Sequence, residues 1–327
     1  MKLLTEVLID QAENLIDHEK QLLLIGSCFA GNIGQKLMYY KFQASVNPVG
    51  ILYNPLSIAQ SMQKAIDNYQ YTPDDLCRHD ELYLSMDFHS DFSALDEHSA
   101  LQKMNLSIFA LKEGIEKSNT IYITFGKAWA YFEEGYCVAN CHKFSASRFT
   151  RRRLDVEEIV EEWENLINQI IATNPAVQIV FTVSPVRHIK DGAQENQLSK
   201  ASLLLAIDQL KTRFRQVNYF PAYEIMMDEL RDYRFYKTDL VHPNEQALTY
   251  VWERFAQFAI STKSQNKNKK LDKFRSKVLH KPHFPSSVKH QAFLKHLKLE
   301  LRHLEQSLKL DLSRELEIIE EQEIGKQ

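Results

Sequence analysis

Short apolar runs alternate with longer amphipathic stretches along the first 261 residues, and this alternation limits the fold more than any other feature of the chain. The runs predict strands at 22–25, 42–46, 120–125, 177–183 and 217–220. The stretches predict helices at 31–40, 55–69, 154–173, 196–216 and 243–261. Strands separated by helices predict a parallel sheet with helices on both faces. Ligands of such sheets bind beyond the carboxyl ends of the strands.

The first strand-to-helix junction carries a candidate nucleophile. Residues 26–30 read Gly-Ser-Cys-Phe-Ala, between the apolar run 22–25 and the helical stretch from Gly31. The Ser27 hydroxyl would therefore lie at the sheet edge, beside helix N–H groups that favour negative charge. Gly-Ser after a strand is more often only a turn and a helix cap. Cys28 is a rival nucleophile, but neighbours at such a turn point in different directions, so only one can face a base.

A base and its orienting carboxylate are predicted far along the chain, in Asp239-Leu-Val-His242-Pro243. An Asp three residues before a His, just before a helix, can accept from one imidazole nitrogen while the other faces a serine. Asp-x-x-His alone usually marks a surface helix start. Combined with the junction at Ser27, it predicts a Ser27–Asp239–His242 triad. Gly126 and Ser184 also follow predicted strands, so they should reach the same edge of the sheet.

These motifs and several others give the chain a resemblance to a known family. The remaining matches lie at 47–50, 53–55, 124–129, 141–143, 182–188 and 219–224. Over roughly residues 1–260 the chain resembles the GSCFA family, a branch of the SGNH (GDSL-like) esterase superfamily. The resemblance implies a flavodoxin-like, three-layer α/β/α fold and serine-dependent ester hydrolysis or acyl transfer, without a cofactor. It favours Ser27 over Cys28 as the nucleophile.

The resemblance also implies which groups would stabilise an oxyanion. The Ser27 backbone N–H and Gly50 would be two of the donors, and removing one such donor usually costs about 10²-fold in rate or more. The third donor of the superfamily is an Asn in a Gly-x-Asn-Asp segment, whereas this chain has Gly126-Lys127-Ala128-Trp129. The candidates for the missing donor are Asn54, Asn140, His142 and Lys127, and the sequence leaves all four open.

Arg187 and His188 follow the fourth predicted strand and form a candidate substrate-binding pair. They could recognise a carboxylate or sugar hydroxyls, or Arg187 could instead pair with the Asp191 region. Lys143, Arg148 and the run 151–153 raise a phosphate option. The chain has no Walker-type loop, such a run is usually a solvated helix start, and the formal net charge is −3. We therefore expect neither a nucleotide nor a nucleic-acid partner.

Composition bounds the remaining classes. The 327 residues include four cysteines, too few for a disulfide framework in a chain of this length. Cys137-x-x-x-Cys141-His142 lacks the second cysteine pair that a structural zinc site needs, so we expect no metal. No apolar run is long enough to span a membrane, which takes about 18 residues. The acidic N-terminus is unlike a secretory signal, and the cytoplasm is the expected location.

The chain is expected to comprise an esterase-like domain at 1–261, a basic polar linker at 262–286 and an amphipathic helix at 287–327. In that helix, leucines recur every three or four residues, which predicts a buried stripe. The stripe could pack on its own domain, form a homo-oligomer or bind another partner. Its leucines are Leu294, Leu297, Leu301, Leu304, Leu308 and Leu312.

Two classes of function remain open. The first is a serine enzyme that hydrolyses or transfers a small acyl group, with a small-molecule or carbohydrate ester as substrate. The second is a non-catalytic binding protein on the same fold. The unusual Gly126–Trp129 segment favours binding, while the presence of Ser27, Asp239 and His242 together favours the enzyme.

Overall fold

We analysed a computed structural model that describes residues 4–280 and 282–323. Two compact units divide the chain. The first runs to Ala259, and the second begins at Ile260 and includes Tyr39–Lys41. The strands are β1 Gln21–Gly26, β2 Gln43–Val46, β3 Cys77–His79, β4 Leu82–Leu84, β5 Thr120–Phe125, β6 Trp129–Glu133, β7 Tyr136–Val138, β8 Thr150–Arg153, β9 Gln178–Val183 and β10 Val217–Tyr219. The helices are α1 Cys28–Tyr39, α2 Pro55–Ile66, α3 Glu97–Lys117, α4 Val156–Thr173, α5 Ala193–Arg213, α6 Ala222–Glu224, α7 Glu245–Ala259, α8 Thr262–Val278, α9 Val288–Leu308 and α10 Ser313–Glu321.

A parallel sheet of five strands forms the centre of the first unit, in the order β2-β1-β5-β9-β10. Counted along the sheet strands alone, this is the 2-1-3-4-5 order of flavodoxin-like folds. Strands β5 and β9 are almost wholly buried, as expected where helices cover both faces. The predicted α/β fold with a parallel sheet and flanking helices is confirmed, and all five predicted strands are present.

The helices begin where local chemistry favours a start. Asn54 caps α2: its Oδ1 accepts the Ser57 N–H at 2.9 Å, and Pro55 occupies the first helical position. Helix α2 ends at Ile66 rather than Tyr69, because Asn68 takes a positive φ of 57°. Helix α3 was not predicted, although Asp96 caps it and its buried residues recur with helical spacing.

Two small antiparallel sheets supplement the central sheet. Strands β3 and β4 form an antiparallel hairpin. Strands β7, β6 and β8 form a three-stranded sheet that was not predicted. The basic run 151–153 lies in β8 and not at a helix start, which corrects the expectation for that run.

The prediction of a basic polar linker at 262–286 is wrong for the first part of that segment. Residues 262–278 form helix α8, which Ser261 caps through the Ser264 N–H. Its apolar residues Leu271, Phe274 and Val278 lie three or four apart and are buried. They form one apolar face of a helix that is otherwise rich in lysine. Because polar residues predominate, the sequence pattern does not reveal this face.

The leucine stripe lies on two helices, α9 and α10, and not on one continuous helix. Lys309 adopts a left-handed conformation and ends α9, and α10 follows after a short turn. The stripe packs with α8 in a single apolar cluster inside the second unit. The predicted burial is therefore met within this chain. Among the described residues, no helix has the length and apolar character that a membrane span requires.

Candidate active site

Ser27 lies at the junction of β1 and α1, as predicted. Gly26 makes this junction possible, because its φ is +129° and a Cβ there would lie 2.2 Å from the Thr124 carbonyl oxygen. The Ser27 Oγ accepts the Phe29 N–H at 3.3 Å, which is a weak cap of α1. Ser27 is only 1% exposed, so its hydroxyl is covered in this conformation.

Asp239 and His242 form a preorganised pair. The His242 Nδ1 donates to the Asp239 Oδ2 at 2.7 Å, and the N–H groups of Val241 and His242 both donate to Oδ1 at 2.9 Å. These bonds lower the Asp239 pKa to about 2, with the two backbone donors contributing most. With Nδ1 donating to the carboxylate, Nε2 is the ring nitrogen that can accept a proton. About half of each side chain is exposed to solvent.

The turn that carries this pair is held by its own backbone. The Lys237 N–H donates to the His242 carbonyl at 2.8 Å, and Tyr236 forms a bridge with Pro243. Asn244 caps α7 through the Ala247 N–H and also donates to the Arg234 carbonyl. The geometry of the Asp–His pair is thus fixed by local sequence.

Among the described residues, Ser27 and His242 share no hydrogen bond. Burial raises the pKa of the neighbouring Cys28, and backbone N–H groups and the charges of Lys200 and Lys237 lower it in part. In the described part of the chain, Ser27 Oγ bonds only the Phe29 N–H. The structure therefore contains the pair of Asp239 and His242, while their relay to Ser27 stays a prediction.

Both backbone donors predicted for the oxyanion are occupied. The Ser27 N–H donates to the Thr124 carbonyl at 3.1 Å, and the Gly50 N–H donates to the Asn47 carbonyl at 2.8 Å. Gly50 has a φ of +82°, and a Cβ there would lie 2.8 Å from the His89 Cβ. In this conformation Gly50 closes a tight turn, and neither N–H is free to bind an oxyanion.

The four candidates for the third donor differ in what their polar groups already bind. Asn54 caps α2 and its Nδ2 donates to Ser57 Oγ at 2.6 Å. Asn140 donates to Ser90, and His142 bonds the Ser85 carbonyl at 2.9 Å from a buried position. Burial lowers the His142 pKa. Asn54 and His142 are therefore committed to the fold, and no structural observation supports a role for either at the site.

Lys127 is the candidate whose donor remains available. Its ammonium lies between the rings of Tyr53 and Tyr131, 5.8 and 5.5 Å from their centroids. Within the described ranges, no hydrogen bond or ion pair involves its Nζ. Burial lowers the Lys127 pKa, and the charge of Arg151 adds to this effect.

At Gly126 the backbone after β5 packs closely against the backbone of Tyr53. Its N–H donates to the Tyr53 carbonyl at 2.8 Å, as does the Lys127 N–H at 3.1 Å. A Cβ at Gly126 would lie 3.0 Å from that carbonyl oxygen. Its own carbonyl accepts a bond from Lys200. Gly126 therefore joins β5 to the 53–54 loop and does not present a free donor.

Lys200 was missed by the sequence analysis. Its Nζ donates to the carbonyls of Gly126 and Ser184, both at 2.7 Å, and so ties together the ends of β5 and β9. The side chain is buried on α5, and burial lowers its pKa to about 7. A signal was present, because Lys200 shares the helical spacing of the buried residues Asn196, Leu203 and Ile207.

Arg187 and His188 lie at the same edge. Burial, together with the charges of Lys200, Lys127 and His242, lowers the His188 pKa to about 4, so the ring is neutral near pH 7. Its ring stands edge-on to Tyr53 at 6.4 Å. The alternative ion pair of Arg187 with Asp191 is wrong, because Asp191 pairs with Arg151 at 2.6 Å.

Among residues 4–280 and 282–323, no group of three His, Cys, Asp or Glu side chains is arranged to hold a metal ion. Cys137 is buried against Ser57 and Asn54, and all four cysteines are free. The basic residues Arg148 and Arg151–Arg153 all form ion pairs with carboxylates of the chain. These pairs leave no unpaired cluster for a phosphate in that run.

Comparison with known proteins agrees with this arrangement of motifs. The model of the GSCFA family matches residues 21–255, which include β1, the serine junction and the Asp239–His242 turn. The chain belongs to the GSCFA family. A second model, that of the GSCFA domain protein C-terminal domain, matches residues 271–324 of this GSCFA protein. No curated protein matches the sequence.

Solved structures with a resemblance to this GSCFA protein include carbohydrate esterases. One is a family 3 carbohydrate esterase from Talaromyces cellulolyticus, with 7% identity, a TM-score of 0.35 and coverage of 78% of this chain and 99% of that chain. Another is a family two carbohydrate esterase from Clostridium thermocellum, in complex with cellohexaose, with 13% identity, a TM-score of 0.36 and coverage of 80% and 66%. Likenesses this low transfer no activity to the chain.

Proposed function

We propose that this GSCFA protein is a serine-dependent ester hydrolase or acyltransferase that uses Ser27, His242 and Asp239. The observation that carries the proposal is the pair of His242 and Asp239, whose imidazole is fixed at 2.7 Å from a carboxylate and leaves Nε2 free. A histidine held in this way is suited to serve as a general base. The serine assigned to this base is Ser27, which lies at the β1–α1 junction at the carboxyl edge of the sheet.

The reaction would proceed through an acyl-enzyme. The Ser27 Oγ attacks the carbonyl carbon of the ester while Nε2 of His242 takes the hydroxyl proton. Collapse of the tetrahedral intermediate breaks the bond to the alcohol oxygen, and the alcohol leaves with that proton. Water or a second hydroxyl then attacks the acyl-enzyme, and its proton passes through His242 to Ser27. Hydrolysis and transfer differ only in this acceptor.

The oxyanion would be stabilised by Lys127 and by the backbone donors of Ser27 and Gly50. Lys127 occupies the segment where the superfamily places its asparagine, and its ammonium is uncommitted. The two N–H groups must exchange their present acceptors, the carbonyls of Thr124 and Asn47, for the oxyanion. The same rearrangement must expose the Ser27 hydroxyl. Catalysis by this site thus requires a conformational step before attack.

The covered serine also favours a second candidate function. A protein that only binds a ligand at the sheet edge needs neither an exposed Ser27 nor a free oxyanion donor, and both are absent from this conformation of the described residues. Under this alternative, the Asp239–His242 pair would orient the ligand by hydrogen bonds. The two functions differ in whether Ser27 becomes nucleophilic.

Labelling with a fluorophosphonate probe distinguishes the two. Intact mass should show one adduct on the wild-type protein, no adduct on Ser27→Ala and strongly slowed labelling of His242→Ala. Cys28→Ala should label like the wild type, since the thiol is not the nucleophile. An exposed-serine variant, Ser147→Ala, serves as the matched control. Equal labelling of wild type and Ser27→Ala, or none on folded protein, would reject the enzyme.

A further inference from the structure

Arg187 is a cation at the sheet edge without a partner. In the described part of the chain, its guanidinium forms neither an ion pair nor a hydrogen bond, and its Nε is buried without an acceptor. The Nε–H is a charged donor without an acceptor on a side chain that is only partly exposed, so an anion that reached it would relieve the cost of leaving it unpaired. In the described part of the chain no carboxylate contacts this guanidinium, which points to a ligand that carries one.

Arg187 lies at the same edge of the sheet as the proposed nucleophile. It follows β9 and Ser27 follows β1, and these two parallel strands pair with opposite sides of β5. The ring of His188, the next residue, stands edge-on to Tyr53, whose carbonyl accepts the N–H groups of Gly126 and Lys127 after β5. Arg187 therefore lies among the groups that follow the carboxyl ends of the strands, where Ser27 lies.

The acidic side chains at this edge have other partners in the described part of the chain. Asp191 pairs with Arg151 at 2.6 Å, Glu195 pairs with Arg153 at 3.3 Å, and Asp239 holds His242. Glu224, after β10, accepts the Tyr219 hydroxyl and forms no ion pair with Arg187. His188 adds no charge of either sign near pH 7. The edge therefore carries unpaired positive charge, although the whole chain has a formal net charge of −3.

The surrounding backbone favours a carboxylate over a phosphate. Phosphate sites usually add a run of free backbone N–H groups. Here Ser184 N–H donates to the Phe125 carbonyl, Val186 N–H to Ser184 Oγ and His188 N–H to Asn196 Oδ1, while Pro185 has no N–H. A single guanidinium fork matches a planar carboxylate by two parallel bonds.

We propose that the ester substrate carries a carboxylate and that Arg187 binds it, beside the acyl group that Ser27 attacks. This inference rests on the proposed function and adds the class of substrate, an acidic ester. Arg187 thereby sets specificity and takes no part in the transfer of the acyl group.

Two acetyl esters that differ only in charge test the proposal, para-acetoxybenzoate and the neutral para-acetoxybenzamide. The wild type should have a kcat/KM about 10- to 100-fold higher for the benzoate, the range expected for a charge-assisted bond. Arg187→Met should lower kcat/KM for the benzoate by about that factor and for the benzamide by much less, so that the preference is lost, while Arg187→Lys restores part of it. Arg152→Met is the matched control, because Arg152 is already paired with Glu158 at 2.6 Å.

Equal rates for both esters in the wild type, or an equal effect of Arg187→Met on both, would overturn the inference while the proposed function stands. If Ser27 labels with fluorophosphonate but neither ester is hydrolysed, the test becomes whether the esters protect Ser27 from labelling. The para-acetoxybenzoate should slow labelling of the wild type, and the para-acetoxybenzamide should not. Arg187→Met should lose the protection by the benzoate. The absence of protection overturns the inference. If Ser27 does not label at all, the proposed function fails, and this inference fails with it.

Discussion

At the residue scale, the most informative contact is the bond between Asp239 and His242. It combines a short Nδ1–Oδ2 distance with two backbone donors on the other carboxylate oxygen. The carboxylate therefore fixes the tautomer and the direction of the ring, which is the role an orienting acid has in a triad. The sequence predicted this pair from its spacing alone, because all of its contacts are local.

Asp239→Asn should slow fluorophosphonate labelling of Ser27 by about 10³- to 10⁴-fold, because the wrong tautomer would place a proton on Nε2. The midpoint of thermal unfolding should change little, since Asp239 is exposed. Asp232→Asn is the matched control: Asp232 also accepts a backbone N–H, that of Arg234, but lies outside the site. Labelling of Asp239→Asn at the wild-type rate would show that the pair has no catalytic role.

Lys200 makes stability depend on pH. Its pKa is about 7 in the folded chain and 10.5 ordinarily, so between these values the unfolded chain binds more protons. The stability contributed by this group should therefore rise as pH increases from about 7 to 10.5, and stay lowest below pH 7. Urea unfolding of the wild type and Lys200→Met across this range measures the effect. A difference between the two proteins that is independent of pH would contradict it.

At the element scale, the β1–α1 junction depends on glycine. Gly26→Ala should destabilise the chain by more than the roughly 1–3 kcal/mol of a strained backbone alone, because its Cβ would also clash with the Thr124 carbonyl. Gly135→Ala is the matched control, since Gly135 has a positive φ with nothing within 4 Å of a Cβ. Urea unfolding should show the larger loss at Gly26. Equal losses would mean that the junction tolerates a side chain.

Elements in which apolar residues predominate were predicted from the sequence. Elements in which polar residues separate a few apolar ones were missed. The sheet strands at 120–125 and 178–183 each have four apolar residues out of six, and both were predicted. Helix α8 was missed because lysines surround its three buried apolar residues. The sequence could not show that the N–H groups of Ser27 and Gly50 already have acceptors. Those acceptors depend on how strands and turns pack in three dimensions.

At the scale of the whole molecule, each of the two units contains an apolar core among its described residues. One lies in the α/β unit, and the other joins α8, α9 and α10 around a buried ion pair of Arg275 and Glu315. Burial alone would raise the Glu315 pKa, but hydrogen bonds from Arg275 and Lys41 leave it below its ordinary value. Oligomerisation through the leucine stripe stays a prediction. It was expected because the stripe needs an apolar partner, and α8 already packs against the stripe.

Leu297→Ala should destabilise the helical unit by about 2–5 kcal/mol, because the side chain is 1% exposed in its core. Leu299→Ala, on the same helix but 54% exposed, should change stability by less than about 0.5 kcal/mol. Far-UV circular dichroism should report an earlier loss of helix in Leu297→Ala. All three tryptophans lie before Ala259, so their fluorescence follows the α/β unit. Equal effects of the two leucines would contradict the separate core.

If Ser27 is the nucleophile, an acyl-enzyme should form on its Oγ, and this species can be trapped. The wild-type protein is mixed with para-nitrophenyl acetate, quenched in acid and examined by peptide mass mapping. We expect one acetyl group on the peptide that contains Ser27, located on the serine and absent from His242→Ala. An acetyl group on Cys28 or on a lysine instead, or an unmodified Ser27 while the ester is being hydrolysed, would show that Ser27 is not the nucleophile.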